Sequence, residues 1–77
     1  MLSWFMLVHS FPDRLRQARE RSGLSIRALA TAAGCSSYAV QTYLSGAREP
    51  QIGTAERLAV ALNVEPSWLV YGKEQVR

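Results

Sequence analysis

Cysteine and histidine are almost missing from this 77-residue chain; Cys35 and His9 are the only ones. A lone cysteine excludes an intramolecular disulfide framework and fits a reducing, cytoplasmic setting. One thiol and one imidazole are too few for a structural zinc site. A catalytic triad is not credible, because the only histidine lies in an apolar amino-terminal segment. The Asp and Glu positions show no pairing suited to acid–base work. The expectation is a protein that is not an enzyme and uses no metal or cofactor. Lysine is scarce too: apart from Lys73, every basic side chain is arginine. No apolar run is long enough to span a membrane. There is no internal repeat and no low-complexity stretch. Strand-like alternation is missing outside residues 1–8.

What is present is modest in size and charge. A chain of 77 residues is expected to form one domain, without a second domain or a separate effector domain. So small a core needs close helix packing, a dimer interface, or both. The net charge of +3 is a mild bias towards polyanions. Arginine suits bidentate contacts to phosphate and guanine, although composition by itself favours a plain solvated surface. Residues 1–10, MLSWFMLVHS, form an apolar arm. The arm lacks a positive region and a small-residue cleavage site, so it is a poor signal peptide. It also lacks the basic residues of a membrane-surface anchor.

Residues 11–72 read as short helices separated by glycine and proline. A first helix runs from Pro12 to about Ser22, buries Phe11, Leu15, Ala18 and Ser22, and stops at Gly23. Arg14, Arg16 and Arg21 are expected on its solvated face, and Arg57 on that of a later helix. Ser25 caps a second helix with Ile26, Leu29, Ala30 and Ala33 on one side, and Gly34 ends it. Ser36 or Ser37 caps a third, with Val40, Tyr43 and Leu44 inward and Ser45-Gly46 at its end. Thr54 is the expected cap of a fourth helix, whose Ala55, Leu58, Ala59 and Leu62 have the clearest helical spacing in the chain. Asn63 closes it. Glu65-Pro66 opens a fifth, carrying Trp68, Leu69 and Tyr71 and closed by Gly72. Residues 73–77 are a tail, and Arg77 is read as a frayed end.

The segment Ser25 to Gly46 carries the function. Two short helices joined by a glycine-containing turn, with alanines where they cross, have helix-turn-helix spacing. In such a pair the first helix braces the second, which projects side chains into the DNA major groove. Cys35, in the turn, is read as a small buried hydrophobe. At the start of the third helix a hydroxyl (Ser36) and free backbone N–H groups can hold a phosphate.

The string G-L-S-x-x-x-L-A-x-x-A-G (Gly23 to Gly34), V-x-x-Y-L-S-G (Val40 to Gly46), Pro50, L-A-x-A-L-N-V (Leu58 to Val64) and W-L-x-x-G (Trp68 to Gly72) resembles the Cro/C1-type, or XRE, repressor family over about residues 11–71. The resemblance implies an all-α, five-helix, lambda-repressor-like domain that binds palindromic double-stranded DNA as a homodimer, of phage or mobile-element origin. It places Ser37, Tyr38 and Thr42 at base-reading positions, with Gln41 a neighbouring candidate, and makes Arg48 a phosphate clamp. Ile26 replaces a glutamine that touches phosphate in many members, so Ser25 or Arg27 is expected to substitute. Leu44 replaces a glutamate that often pairs with an arginine at the position of Arg19. Arg19 is then expected on a phosphate, or with Glu20 or Glu49.

Trp68, Leu69 and Tyr71 present more apolar surface than a short helix usually buries, and are expected partly at a dimer interface. Trp4 and Phe5 of the arm join this set. The arm has several open readings: it folds onto the domain, exchanges between protomers, meets another protein, or reflects a misassigned start. The rival function is a protein-interaction module, such as an antitoxin that neutralises a partner.

Overall fold

The computed structural model describes residues 10–73. Its elements are α1 Phe11–Ser22, α2 Ile26–Ala33, α3 Ser37–Ser45, α4 Ile52–Leu62 and α5 Pro66–Tyr71, with no strand among the described residues. The arm residues Trp4 and Phe5, the strand-like alternation of residues 1–8, and Arg77 lie outside the described residues.

Serine hydroxyls start the first three helices. Ser10, Ser25 and Ser36 are extended, and their Oγ atoms accept from the N–H groups of Asp13, Ala28 and Ala39 at 3.3, 3.0 and 3.0 Å. Each bond satisfies one of the orphan donors of a helix start. Ser10 is a cap that the periodicity did not single out; of the Ser36/Ser37 alternatives, Ser36 caps. Thr54 does not cap α4. That helix begins at Ile52, with Gln51 as a cap lacking a side-chain bond. The first turn must deliver Ala55 into the core, and the Gln51 carbonyl accepts from Ala55 N–H at 2.9 Å to do so. Thr54, inside the turn, accepts from Arg57 Nη2 at 3.2 Å.

Helix ends follow one scheme. Gly23, Gly34, Gly46, Asn63 and Gly72 all have positive φ. After four of them the next N–H reaches back across the last turn: Cys35 to the Ala30 carbonyl, Ala47 to Thr42, Val64 to Ala59 and Lys73 to Ser67. Gly72 is doubly constrained. Its φ is +76°, and a Cβ there would lie 3.0 Å from Arg14 Nη1.

The core joins Leu15 and Ala18 of α1, Leu29, Ala30 and Ala33 of α2, Val40 and Tyr43 of α3, Leu58, Ala59 and Leu62 of α4, and Leu69 of α5. Small alanines on α2 admit both α3 and α4, the two helices it packs against most. α1 packs against α3 and α5, and more lightly against α4. Leu69 is fully buried, which removes it from the expected dimer surface; its helix is so short that burying this leucine is what anchors it. Trp68 is half-buried against the core and Tyr71 is exposed.

Arg14 is not on a solvated face, and Arg57, exposed as expected, is nevertheless bonded to the end of another helix. Arg14 is buried; its Nε donates to the Leu69 carbonyl and its Nη2 to the Val70 carbonyl, both at 2.9 Å. Burial lowers its pKa, and nearby Asp13 opposes that shift. Arg57 Nε donates to the Ala33 carbonyl at 2.8 Å. The physical reason is the same in both cases. The last carbonyls of a helix lack intrahelical donors, and a guanidinium supplies several at once.

Candidate nucleic-acid interface

The α2–α3 pair is joined by Gly34, Cys35 and Ser36. The left-handed Gly34 turns the chain, and Cys35 closes the turn onto α2 while packing against the core. Burial raises the Cys35 pKa, opposed by the Arg57 charge, so the thiol stays protonated as a small apolar group. Arg57 also fixes the end of α2 at Ala33, which holds the turn from its outer side.

α3 is seated by its inner stripe. Val40 and Tyr43 are buried and Leu44 is partly covered. The opposite face carries Tyr38, which is 68% exposed, and the exposed Gln41. Ser37 is half-buried beside them. Thr42 does not join this face. It is buried, and its hydroxyl donates to the Ala39 carbonyl at 2.6 Å. It lies three residues after the partly covered Ala39, at the edge of the inner stripe. Its carbonyl accepts from Ser45 Oγ, Ala47 N–H and Arg48 N–H, which folds the loop after α3 back onto that helix.

The residues expected on phosphates are Ser25, Ser36, Arg27, Arg48 and Arg19. Ser25 and Ser36 each cap a helix, leaving the first backbone N–H groups of α2 and α3 without intrahelical acceptors. The exposed side chains of Arg27, in the first turn of α2, and Arg48, in the loop after α3, have no hydrogen bond or ion pair among the described residues. Arg19 is differently placed. Its Nη1 donates to the Leu24 carbonyl at 2.9 Å, so its partner is neither Glu20 nor Glu49. Its Nε is buried without a hydrogen-bond partner among the described residues.

Arg16, like Arg57, is a positioning residue that the sequence pattern did not reveal. Arg16 pairs with Asp13 at 2.9 Å and donates through Nη2 to the Leu44 carbonyl at 3.2 Å. It thus ties the end of α3 to α1. The contact is between helices, so no periodicity signals it.

The comparisons with known proteins agree with this geometry. A family model described as a helix-turn-helix domain matches residues 11–68. The restriction-modification controller protein C.AhdI from Aeromonas hydrophila is similar at 34% identity, with a TM-score of 0.75, over 80% of this chain and 94% of that one. The P22 c2 repressor, solved with a synthetic operator, is similar at 25% identity and a TM-score of 0.77, over 82% of this chain and 96% of that one. The DNA-binding domain of the same repressor in solution gives 26% identity and a TM-score of 0.76, over 80% of this chain and 82% of that one. A search of curated proteins returned no match. The chain belongs to the Cro/C1-type helix-turn-helix family of DNA-binding transcription regulators.

Proposed function

We propose that this protein is a transcriptional repressor that binds a palindromic operator as a homodimer. The observation that carries the reading is the outer face of α3: exposed Tyr38 and Gln41, with two serine-capped helix starts and with Arg27 and Arg48, whose side chains have no partner among the described residues. A helix fits the major groove, and an amide side chain reads adenine there through paired hydrogen bonds. Tyr38, Gln41 and Ser37 contact bases. Ser25, Ser36, Arg27 and Arg48 hold phosphates and set the register of the helix, as such contacts commonly do. Thr42 and Arg19 support the site from behind. Two copies joined through Tyr71 and the edge of Trp68 place their α3 helices in successive major grooves about 34 Å apart. Repression follows from occupancy of the promoter and needs no cofactor. The regulator relatives do not favour the protein-neutralising alternative.

A salt-titrated binding assay tests this, comparing DNA upstream of the protein's own gene with scrambled duplex of equal composition. A preference of about a thousandfold or more with two protomers per site is expected of a specific repressor. Equal, weak and salt-labile binding to both would refute it.

A further inference from the structure

Arg48 stands in the segment that leads from the end of α3 towards α4. The backbone N–H groups of residues 46–48 all reach back to α3. Gly46 turns the chain at a φ of +83°, and its N–H donates to the Tyr43 carbonyl at 3.3 Å. The N–H groups of Ala47 and Arg48 share the Thr42 carbonyl, at 3.0 and 3.3 Å. One side chain joins this set. Ser45 Oγ donates to the same Thr42 carbonyl at 3.1 Å and accepts from Ala47 N–H at 3.3 Å. Among the described residues, no other side chain bonds to the backbone of residues 46–48. We propose that Ser45 is a positioning residue for the phosphate contact of Arg48. Its hydroxyl clasps the loop onto α3 and sets where the guanidinium stands relative to the base-reading face. The proposal rests on the phosphate role given to Arg48 above.

Three observations carry this. First, the Arg48 side chain has no partner among the described residues, so only its backbone locates it. Ordering that backbone before DNA arrives lowers the entropy lost on binding. Second, the bonds that order it are individually weak. Those at 3.3 Å lie just outside the range of about 2.7–3.2 Å typical of N–H···O bonds. Through the shared Thr42 carbonyl and the Ser45 hydroxyl they act as one set, and removing the hydroxyl takes two of its members at once. Third, the freedom of the loop lies on the α3 side of Arg48. Pro50 restricts Glu49 to extended backbone, so Arg48 swings mainly about Gly46 and Ala47, where Ser45 acts. A serine in a last helical turn commonly bonds back to its own helix and does nothing more. Here the same hydroxyl also accepts from a residue beyond the helix end.

The test is a double-mutant cycle on Ser45→Ala and Arg48→Ala in the full chain. Binding is read on a duplex of scrambled sequence at low salt, where phosphate contacts supply the affinity. Ser45 is exposed and alanine is the best helix former, so the fold should hold, which thermal unfolding checks. Ser45→Ala should weaken binding about two- to tenfold per protomer, the net worth of one neutral hydrogen bond. It should add almost nothing once Arg48 is alanine. Ser45→Thr, which keeps the hydroxyl, should bind as the unaltered chain does. In the free chain, amide relaxation should show Ala47 and Arg48 loosened by Ser45→Ala while Tyr43 stays ordered. An equal loss with and without Arg48 would overturn the proposal, since Ser45 would then meet the DNA itself. So would no loss, a loss with unchanged order at Ala47 and Arg48, or a threonine variant as weak as the alanine one. Full affinity and an unchanged salt slope in Arg48→Ala alone would remove the phosphate contact itself, and the proposal with it.

Discussion

Replacing Arg14 by methionine separates the two roles open to an arginine in this chain. On the composition alone, Arg14 is a surface cation, and its loss should leave stability within about 0.5 kcal/mol while reducing the salt slope of DNA binding by about 0.9 if it met a phosphate. The structure requires the opposite. The guanidinium donates to the carbonyls of Leu69 and Val70, the former bond fully buried. Hydrogen bonds from a charged group contribute about 1.5–3 kcal/mol each, so the pair sets an upper value of roughly 3–6 kcal/mol. Methionine keeps much of the apolar stem and removes the desolvation penalty of the charge, which offsets part of the loss. A net destabilisation of about 2–4 kcal/mol is expected, within the range for breaking a buried polar network. In a domain of this size about 1 kcal/mol corresponds to 4–8 °C in Tm. The shift should therefore exceed about 8 °C. Urea unfolding gives the free energy, and amide exchange should show α5 opening first. A loss below about 0.5 kcal/mol, the ordinary surface value, with a reduced salt slope would refute the reasoning.

Other expected outcomes follow from the same geometry. Arg48→Ala should weaken binding to all sequences alike and lower the salt slope by about 1, with stability nearly unchanged. Gln41→Ala should remove about 1–3 kcal/mol of base discrimination, measured by competition among single-base operator variants. Thr42→Ala should leave that discrimination intact, because its hydroxyl is bonded within α3; a loss comparable to that of Gln41→Ala would return Thr42 to the base-reading set. Ser36→Ala should destabilise the fold by about 1 kcal/mol through the lost cap, read by thermal unfolding. Since burial raises the Cys35 pKa, the unfolded thiol ionises first as pH climbs. Stability should then fall above the ordinary thiol range, and Cys35→Ala should flatten that slope.

Much of the fold was legible in the residues. Gly23, Gly34, Gly46, Asn63 and Gly72 mark helix ends because few other residues accept a positive φ, and all five take it. The stripes Leu29-Ala30-Ala33 and Leu58-Ala59-Leu62 are buried as their spacing requires. Thr54 misled because cap preference is a local tendency of about 1 kcal/mol, while the burial of Ala55 sets where α4 starts. Arg14 carried a usable signal. It stands three residues after Phe11 and four before Ala18, inside the apolar stripe of α1, where a charged side chain needs a buried partner. That partner, the end of α5, is 55 residues away, and no local pattern points to it. Arg16 and Arg57 were hidden for the same reason, since each meets a carbonyl at the end of another helix. Leu69 and Thr42 show a related limit. Periodicity gives the direction of the buried face but not its width, and both residues lie within that face.

The central claim is that the outer face of α3 reads sequence. Selection of binding sites from randomised duplex DNA, run with the unaltered chain and with Gln41→Ala, tests it most directly. The account predicts a symmetric consensus with half-sites about one helical turn apart, and a variant that selects the same site with one position per half-site degenerate. No consensus, or an identical consensus from both proteins, would contradict it.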